Sequence, residues 1–179
     1  MSFKRKLTCE IRDLLVSPVR LIIPCAAALV VGLLTWISCR GIWVIWRVSR
    51  HPPMTIPLPV MIFMWLAIYV LFGVIFRLSS EHDICSSLSL KTIVSYLATL
   101  FWCPLLMIAG NLICSVATLI LSICYLVSVI KMVGKYSLVA VISFTFILIY
   151  ELYMLYFSVV FAVINWFLTT KLNFLLYLL

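Results

Sequence analysis

Residues 92–130 read TIVSYLATLFWCPLLMIAGNLICSVATLILSICYLVSVI and carry no charged side chain between Lys91 and Lys131. The hydrocarbon core of a bilayer is roughly 30 Å thick, and a helix needs about 20 apolar residues to cross it. This stretch is therefore long enough for two crossings. The break falls best at Gly110-Asn111, which predicts two antiparallel helices over about 92–109 and 112–130 joined by a minimal turn.

The composition of the whole chain extends this interpretation. Of its 179 residues, 66% are hydrophobic and 10% are charged, and the mean hydropathy is +1.30. A soluble domain carries about 25% charged residues, so this chain lacks the polar surface of a soluble fold. Its runs are apolar on all sides, whereas the strands of a membrane barrel alternate apolar and polar residues over about 10 positions. The sequence therefore predicts an all-α integral membrane protein.

The remaining apolar runs predict three further spans, over about 21–43, 59–76 and 138–167. The link before the second span contains several prolines, which lack a backbone donor and restrict the residue before them, so they end one helix and delay the next. Residues 79–91 form the most polar loop. We thus predict a five-helix transmembrane domain over 21–171, preceded by a basic amphipathic segment, 1–20, and followed by a short apolar tail, 172–179, that cannot cross the bilayer.

Basic residues are distributed unequally between the two ends of the predicted bundle. An odd number of spans puts the termini on opposite sides of the membrane. Nine basic residues then lie on the amino-terminal side, Lys4, Arg5, Lys6, Arg12, Arg20, Arg77, Lys91, Lys131 and Lys135, and four on the other, Arg40, Arg47, Arg50 and Lys171. The positive-inside rule predicts a multi-pass protein with a cytoplasmic amino terminus. The net charge of +8 indicates membrane lipids as partners, and we expect no nucleic acid.

Polar side chains recur at helical spacing inside three of the predicted spans. They are Ser95, Thr99 and Trp102 in the third, Asn111, Ser115, Thr118, Ser122 and Tyr125 in the fourth, and Glu151, Ser158 and Asn165 in the fifth. Because polar groups in lipid turn towards one another or towards a cavity, we expect the three stripes to converge. Two interpretations are open: interhelical hydrogen bonds, worth roughly 0.6 kcal/mol each, or the lining of a ligand pocket.

Glu151 is the unusual member of these stripes, because a carboxylate near the middle of a bilayer costs about 2.5–3.5 kcal/mol on insertion scales. It must be protonated, paired or functional. Arg40, Lys135 and a polar ligand are possible partners, and the sequence does not choose between them.

Aromatic side chains form one face of the second span and one face of the fifth. They are Trp65, Tyr69, Phe72 and Phe76, and then Phe146, Tyr150, Tyr153, Phe157 and Phe161. This pattern fits core packing and lipid contact, and it also fits the flat walls of a slot for a planar apolar ligand.

The sequence contains no recognisable catalytic or metal-binding constellation. His51 and His82 lie in predicted loops with no nucleophile near them in sequence, and none of the seven cysteines forms a CxxC pair. We therefore predict a protein that is not an enzyme, with no cofactor and no metal site.

Several of these residues resemble motifs of the translocator protein (TspO/MBR) family, the peripheral-type benzodiazepine receptors or tryptophan-rich sensory proteins. His51-Pro52-Pro53 after a basic link is similar to the family's Trp-x-Pro-Pro or His-Pro-Pro element, and Pro59-Val60 is similar to the start of its Pro-Val-Trp motif. Met61 stands where that tryptophan is expected, and Met64-Trp65 stands where Leu-Tyr is usual.

The resemblance continues in the later spans and covers about residues 20–167, chiefly in organisation. Trp102-Cys103-Pro104 is similar to the family's Trp-Ser/Pro-Pro element, with Thr99 and Ser95 in place of its asparagine and glutamine. Ile164-Asn165 resembles the family's Leu-Asn, without the Pro-Tyr and tryptophan expected upstream.

The resemblance implies a five-helix bundle, often a homodimer, with a pocket under the first loop that binds tetrapyrroles, sterols or benzodiazepine-type ligands for transport or sensing. By matching position, the implied pocket residues are Trp43, His51, Pro53, Trp65, Trp102 and Asn165. Trp65 and Trp102 would supply stacking faces, and Thr99 and Asn165 would supply hydrogen bonds. The altered residue at Met61 leaves the identity of the ligand open.

Our leading hypothesis is a receptor or transporter-like membrane protein that binds a flat hydrophobic small molecule, a porphyrin or a sterol, under the 44–58 loop. The alternatives are a structural or assembly subunit of a membrane complex, and an ion-coupled carrier that uses Glu151. No inverted repeat relates the two halves of the chain, which disfavours the carrier.

Overall fold

The computed structural model describes residues 3–16, 18–38, 46–47, 49–81, 86–107, 112–134 and 137–176. Within these ranges six helices account for almost every residue, and none of the described residues lies in a strand. The helices are α1 (Phe3–Val16), α2 (Pro18–Ser38), α3 (Leu58–Glu81), α4 (Ser86–Met107), α5 (Leu112–Val133) and α6 (Leu138–Leu176).

The amino-terminal segment is a separate helix, α1, and the first long helix begins earlier than predicted. α2 starts at Pro18 rather than near residue 21, because a proline at the first helical position has no backbone N–H to leave unpaired. Pro24 is accommodated inside the helix. The predicted end of this span, at residue 43, lies outside the described residues.

The predicted polar loop over 79–91 is wrong at both ends. α3 continues past Arg77 to Glu81, and α4 already begins at Ser86, while residues 82–85 lie outside the described part of the chain. Arg, Glu and Lys are good helix formers. Charged residues therefore mark where the apolar stretch stops, and the helix continues beyond them.

The helix ends on both sides of the predicted turn between the third and fourth spans agree with expectation. α4 ends at Met107 and α5 begins at Leu112, and the predicted turn at Gly110-Asn111 lies between them, outside the described residues. α5 ends at Val133, one turn later than predicted, with Lys131 in its last turn, where a cation is favoured by the helix dipole.

The last helix extends into the predicted apolar tail over 172–179. α6 has 39 residues and continues to Leu176. It is interrupted at Asn165, whose φ of −107° and ψ of 16° are not helical. A helix of this length spans about 58 Å, so the break at Asn165 divides a membrane-length segment from its extension.

Four of the six helices are long and apolar enough to cross a membrane, judged by length and composition: Pro18–Ser38, Leu58–Leu78, Ile113–Val133 and Leu138–Asn165. α4 has a shorter apolar stretch, Leu90–Leu106. Large apolar side chains such as Ile23, Phe63 and Ile149 are exposed on the outer faces, as expected for helices that face lipid. The prediction of an all-helical membrane protein is confirmed at this level.

The long helices pack in a closed ring in the order α2, α3, α6, α5, α4, with α3 also touching α4. Hydrogen bonds fix the helix directions. The Ser95–Ser122 and Lys91–Ser128 pairs make α4 and α5 antiparallel, whereas Thr99–Glu151 and Trp102–Ser158 make α4 and α6 parallel. α1 packs against the start of α2 and the start of α6.

Glu10 attaches α1 to the first turn of α6. Its carboxylate accepts hydrogen bonds from the backbone N–H groups of Leu138 and Val139 at 3.1 and 2.9 Å, and from the Ser137 hydroxyl at 3.1 Å. These amide groups have no partner inside the helix, and the helix dipole favours an anion at this position. A short polar helix is thereby fixed to the bundle.

Two glycines allow α2 and α3 to approach closely. A Cβ atom on Gly32 would lie 2.1 Å from the Tyr69 ring, and one on Gly73 would lie 2.3 Å from the Cα of Cys25. Small residues at such contacts let helix backbones meet in a membrane, where van der Waals packing drives association.

We expect Gly73→Ala to destabilise the bundle by about 1–3 kcal/mol, the usual cost of overpacking, because its new methyl group would collide with backbone atoms of α2. The measurement is thermal unfolding in detergent. Ala117→Val, which adds methyl groups on the exposed side of α5, is the matched control and should change stability little. If Gly73→Ala unfolded at the same temperature as Ala117→Val, the close α2–α3 contact would be contradicted.

Candidate functional site

The three predicted polar stripes meet between α4, α5 and α6. The side chains of Thr99 and Ser122 each donate a hydrogen bond to Glu151 Oε1, at 2.5 and 2.8 Å. The hydroxyls of Ser95 and Ser122 are 2.7 Å apart, and those of Thr99 and Ser122 are 3.2 Å apart. We call Ser95, Thr99, Ser122 and Glu151 the hydroxyl–carboxyl cluster; all four are buried, and the expected convergence is confirmed for these members of the stripes.

Glu151 is enclosed by neutral groups in this cluster. It is 1% exposed, and its second oxygen, Oε2, has no hydrogen-bond partner among the described residues. Two of its predicted partners, Arg40 and Lys135, lie outside the described residues. Lys91 donates instead to Ser128 Oγ at 3.0 Å and contacts Met132 Sδ at 3.6 Å, so the described structure supplies hydroxyl partners for the carboxyl group.

Three tryptophans from three helices form a second feature, which we call the tryptophan cluster. Trp36 of α2 and Trp65 of α3 pack edge to face with ring centroids 4.8 Å apart, and Trp65 and Trp102 of α4 do the same at 4.8 Å. Trp65 and Trp102 are 1% and 0% exposed. Trp102 Nε1 donates to Ser158 Oγ at 2.8 Å, which joins this cluster to the polar stripe of α6.

Trp36 has an unsatisfied polar atom inside this cluster. Its Nε1 is buried, and no described residue accepts a hydrogen bond from it. A buried indole N–H usually finds a partner, and an unpaired buried donor costs about 1–3 kcal/mol. The tryptophan cluster therefore combines flat apolar walls with one free donor.

The loop over 49–57 is attached to α6 by side chains of that helix. Asn165 accepts from the backbone N–H of Arg50 at 2.9 Å and donates to the carbonyl oxygen of Arg50 at 2.8 Å. The Tyr153 hydroxyl accepts from the N–H of Ile56 at 3.0 Å, and the Tyr156 hydroxyl donates to the carbonyl of Pro53 at 3.1 Å. The break in α6 at Asn165 thus coincides with the point where the loop is held.

An aromatic stack lies under the same loop. The ring of Trp46 packs against His51, with centroids 4.6 Å apart, and against Phe157 at 5.7 Å with nearly parallel planes. Phe161 continues the stack at 5.4 Å from Phe157. Flat side chains from residues 46–51 and from α6 are therefore layered on one another beneath the loop.

The structure places most of the predicted site residues in the half of the bundle that is nearer the loop. Trp65, Thr99, Trp102 and Asn165 are buried there, His51 and Pro53 lie on the exposed loop above them, and Trp43 lies outside the described residues. The amide of Asn165 is bound to the Arg50 backbone and to the carbonyl of Phe161, so its observed role is to position the loop.

The aromatic faces predicted from sequence are confirmed in part. Tyr69 and Phe72 are buried and pack against Tyr96, and Phe157 and Phe161 belong to the stack under the loop. Phe146 is 43% exposed, so the stripe on α6 does not face the interior along its whole length.

Sequence reasoning missed three contributors to this region. Trp36 and Trp46 both precede the loop in sequence but fall on no stripe, and Tyr156 lies beside the predicted aromatic face of α6. A search for tryptophans close to the loop in sequence, in addition to the search for helical spacing, would have found Trp36 and Trp46.

Comparison with models of known protein families and with curated protein sequences finds no match for this chain. Among the described residues no group of three or more His, Cys, Asp or Glu side chains is arranged to hold a metal ion.

Replacing Asn165 by alanine should loosen the loop, because both backbone groups of Arg50 would lose their partner, at a cost of about 1–3 kcal/mol. Limited trypsin digestion would then cut after Arg50 about tenfold or more faster, since 1.4 kcal/mol corresponds to a factor of ten.

Tyr156→Phe is the comparison for this experiment, because it removes only the bond to the Pro53 carbonyl at the exposed surface and should accelerate cleavage much less. Equal cleavage rates in Asn165→Ala and the unmodified protein would show that this side chain does not hold the loop.

Proposed function

We propose that this chain is a five-span membrane protein that binds a flat hydrophobic molecule, of the tetrapyrrole or sterol class, between its helices under the 44–58 loop. It acts as a receptor or as a transporter-like protein without catalysis, alone or as a homodimer, and it is a divergent member of the translocator protein family. The tryptophan cluster under a loop held by α6 carries this proposal.

Five spans require that α4 also crosses the bilayer. Its apolar stretch, Leu90–Leu106, is about 25 Å long as a helix, somewhat short of the hydrocarbon core. α4 packs along α5 and touches α2 and α3, so it is one member of the ring that the spanning helices form. The alternating directions of α2 to α6 support five crossings.

The tryptophan cluster is suited to a planar ligand. Ligand sites are mostly apolar and aromatic, with a few polar groups that fix orientation. Here the rings of Trp65 and Trp102 would stack on the ligand, and the free Nε1 of Trp36 would donate to an oxygen or nitrogen acceptor on it. Thr99 and Ser158, already bonded nearby, would supply further polar contacts.

Access to the cluster is easiest past α2. Trp65 and Trp102 are closed off by each other and by Trp36, whereas Trp36 is itself only half-buried. Most of the α2 surface is exposed, and α2 contacts its neighbours mainly along the face that carries Ala28, Gly32 and Trp36. A ligand dissolved in the bilayer would therefore reach the tryptophans from the lipid side.

Titration of the purified protein with protoporphyrin should give saturable quenching of tryptophan fluorescence. We expect Trp102→Ala to weaken binding by about tenfold or more, because an aromatic side chain stacked on a flat ring the size of a nucleic-acid base contributes about 1–3 kcal/mol. Phe101→Ala removes the neighbouring aromatic ring, which is 56% exposed on the outside of α4, and should leave the affinity unchanged. Absence of saturable quenching by both protoporphyrin and a fluorescent sterol would contradict the proposal.

A structural or assembly subunit is the second candidate, and one observation favours it. Thr99, Trp102 Nε1 and Asn165 already have partners within the bundle, as interhelical contacts would. In that case Thr99→Val and Trp102→Phe would lower thermal stability, and no ligand of the tested classes would raise it.

We also propose that the amino terminus is cytoplasmic. Arg12, Arg20, Arg77 and Lys131 lie at the α1 end of the bundle, and Arg47 and Arg50 lie at the opposite end, which suits the positive-inside rule.

In a background without native cysteines, Met54→Cys should react with a membrane-impermeant maleimide added to intact cells, and Lys131→Cys should react only after permeabilisation. Both positions are exposed. The reverse labelling pattern would invert the orientation, and labelling of both from one side would contradict an odd number of spans.

A further inference from the structure

The hydroxyl–carboxyl cluster lies next to the tryptophan cluster and shares Thr99 with the residues proposed to meet the ligand. We infer that Glu151, with Ser95, Thr99 and Ser122, forms an intramembrane proton-binding site, and that proton binding at Glu151 is linked through Thr99 to ligand binding at the tryptophan cluster. The linkage rests on the proposed function, whereas the proton site stands on the geometry alone.

The hydrogen bonds of the cluster accommodate both forms of the carboxyl group without movement of heavy atoms. When Glu151 is ionised, the hydroxyls of Thr99 and Ser122 donate to Oε1, and the Ser95 hydroxyl donates to Ser122. When it is protonated on Oε1, that oxygen donates to Thr99, and the Thr99 hydroxyl turns to the backbone carbonyl of Ser95, which lies 2.9 Å away.

The spacing of these oxygens fits hydrogen bonds that share protons. The oxygens of the cluster are 2.5–3.2 Å from one another, within hydrogen-bond distance. Glu151 is the only carboxyl group of the cluster, and its other three members are neutral hydroxyl side chains. A proton shared between two oxygens fits the observed distances.

No cation neutralises Glu151 among the described side chains. The ionisable side chains that the surrounding helices turn inward are Tyr69 and Arg77 of α3, Lys91, Tyr96 and Cys103 of α4, Tyr125 of α5, and Tyr150 and Tyr153 of α6. Tyr96 and Tyr150 donate to the carbonyls of Ala28 and Met61. Lys91 is bound to Ser128, which lies six residues, or about 9 Å, along α5 from Ser122.

The free oxygen of Glu151 gives a second, independent observation. Oε2 is buried and unpartnered among the described residues, so one side of the carboxyl group has neither a donor to stabilise a negative charge nor an acceptor for a proton. Only one of the two carboxyl oxygens is hydrogen-bonded, and the Thr99 hydroxyl can donate either to that oxygen or to the Ser95 carbonyl. Such a carboxyl group can gain and release a proton as its surroundings change.

The direction of the linkage follows from Thr99. A hydroxyl that donates to a carboxylate stabilises its ionised form. If the ligand takes the Thr99 hydrogen bond, that stabilisation is lost and Glu151 takes up a proton. Ligand binding and proton binding therefore strengthen each other, and ligand affinity rises as the pH falls, by up to about tenfold per pH unit for one linked proton.

The proton site is tested by infrared spectroscopy of the protein in lipid vesicles across a pH series. We expect the carbonyl stretching band of a protonated carboxyl group to titrate, to shift in heavy water, and to be absent in Glu151→Gln. Glu10→Gln, which removes a carboxylate bound to backbone amides at the start of α6, is the matched control and should leave the band intact. Ser122→Ala removes one hydrogen bond that stabilises the ionised carboxylate. In this variant the band of the protonated carboxyl group should therefore persist to higher pH.

A missing band in the unmodified protein, or one that survives in Glu151→Gln, would overturn the proton site. A band that responds to sodium at constant pH would replace it with a metal-ion site and so overturn it too.

The linkage is tested by protoporphyrin titration at several pH values in the unmodified protein and in Glu151→Gln. The ionisable groups of the porphyrin titrate equally in the experiments with both proteins. A difference between the two proteins in the pH dependence of the affinity therefore reports on Glu151. A steeper rise of affinity at low pH in the unmodified protein supports the linkage. Parallel pH profiles would overturn it and leave the proposed function intact, whereas no binding at any pH would remove the linkage together with the proposed function.

Discussion

The requirement that polar groups find partners inside the helix bundle shapes the structure more than any other constraint. Lipid offers no hydrogen bonds, so a buried hydroxyl, amide or carboxyl group is stabilised by partners from the same chain. Ser95, Thr99 and Ser122 meet Glu151 for this reason. The same requirement places Ser158 beside the indole of Trp102, and together these contacts determine how α4, α5 and α6 are rotated against one another.

The second determinant is the distribution of side-chain size. Gly32 and Gly73 bring α2 against α3, and the large rings of Trp65 and Trp102 occupy the space where α2, α3 and α4 meet. The small residues let α2 and α3 approach each other, and the planar rings fill the space beside this contact where α4 joins the two helices. The position of the tryptophan cluster follows from this arrangement.

The sequence was sufficient for the features that depend on local spacing. The heptad recurrence of Glu151, Ser158 and Asn165 correctly predicted a single buried face on α6, and the convergence of the stripes followed from it. Helix ends were predicted less well, because Arg77 and Lys91 are compatible with a helix even where they leave the apolar region. The attachment of the loop through Asn165 could not be predicted, since it joins residues more than a hundred positions apart and depends on a break in α6 that no proline or glycine marks.

The contact between Glu10 and the first turn of α6 has a mechanical consequence. α6 runs from this contact to Asn165 as one continuous rod of about 40 Å, carrying Glu151 and Ser158 along the way. α1 is attached to one end of this rod, and the loop over 49–57 is attached to the other end through Asn165. Any tilt of α1 would therefore be transmitted along α6 to the contact that holds the loop.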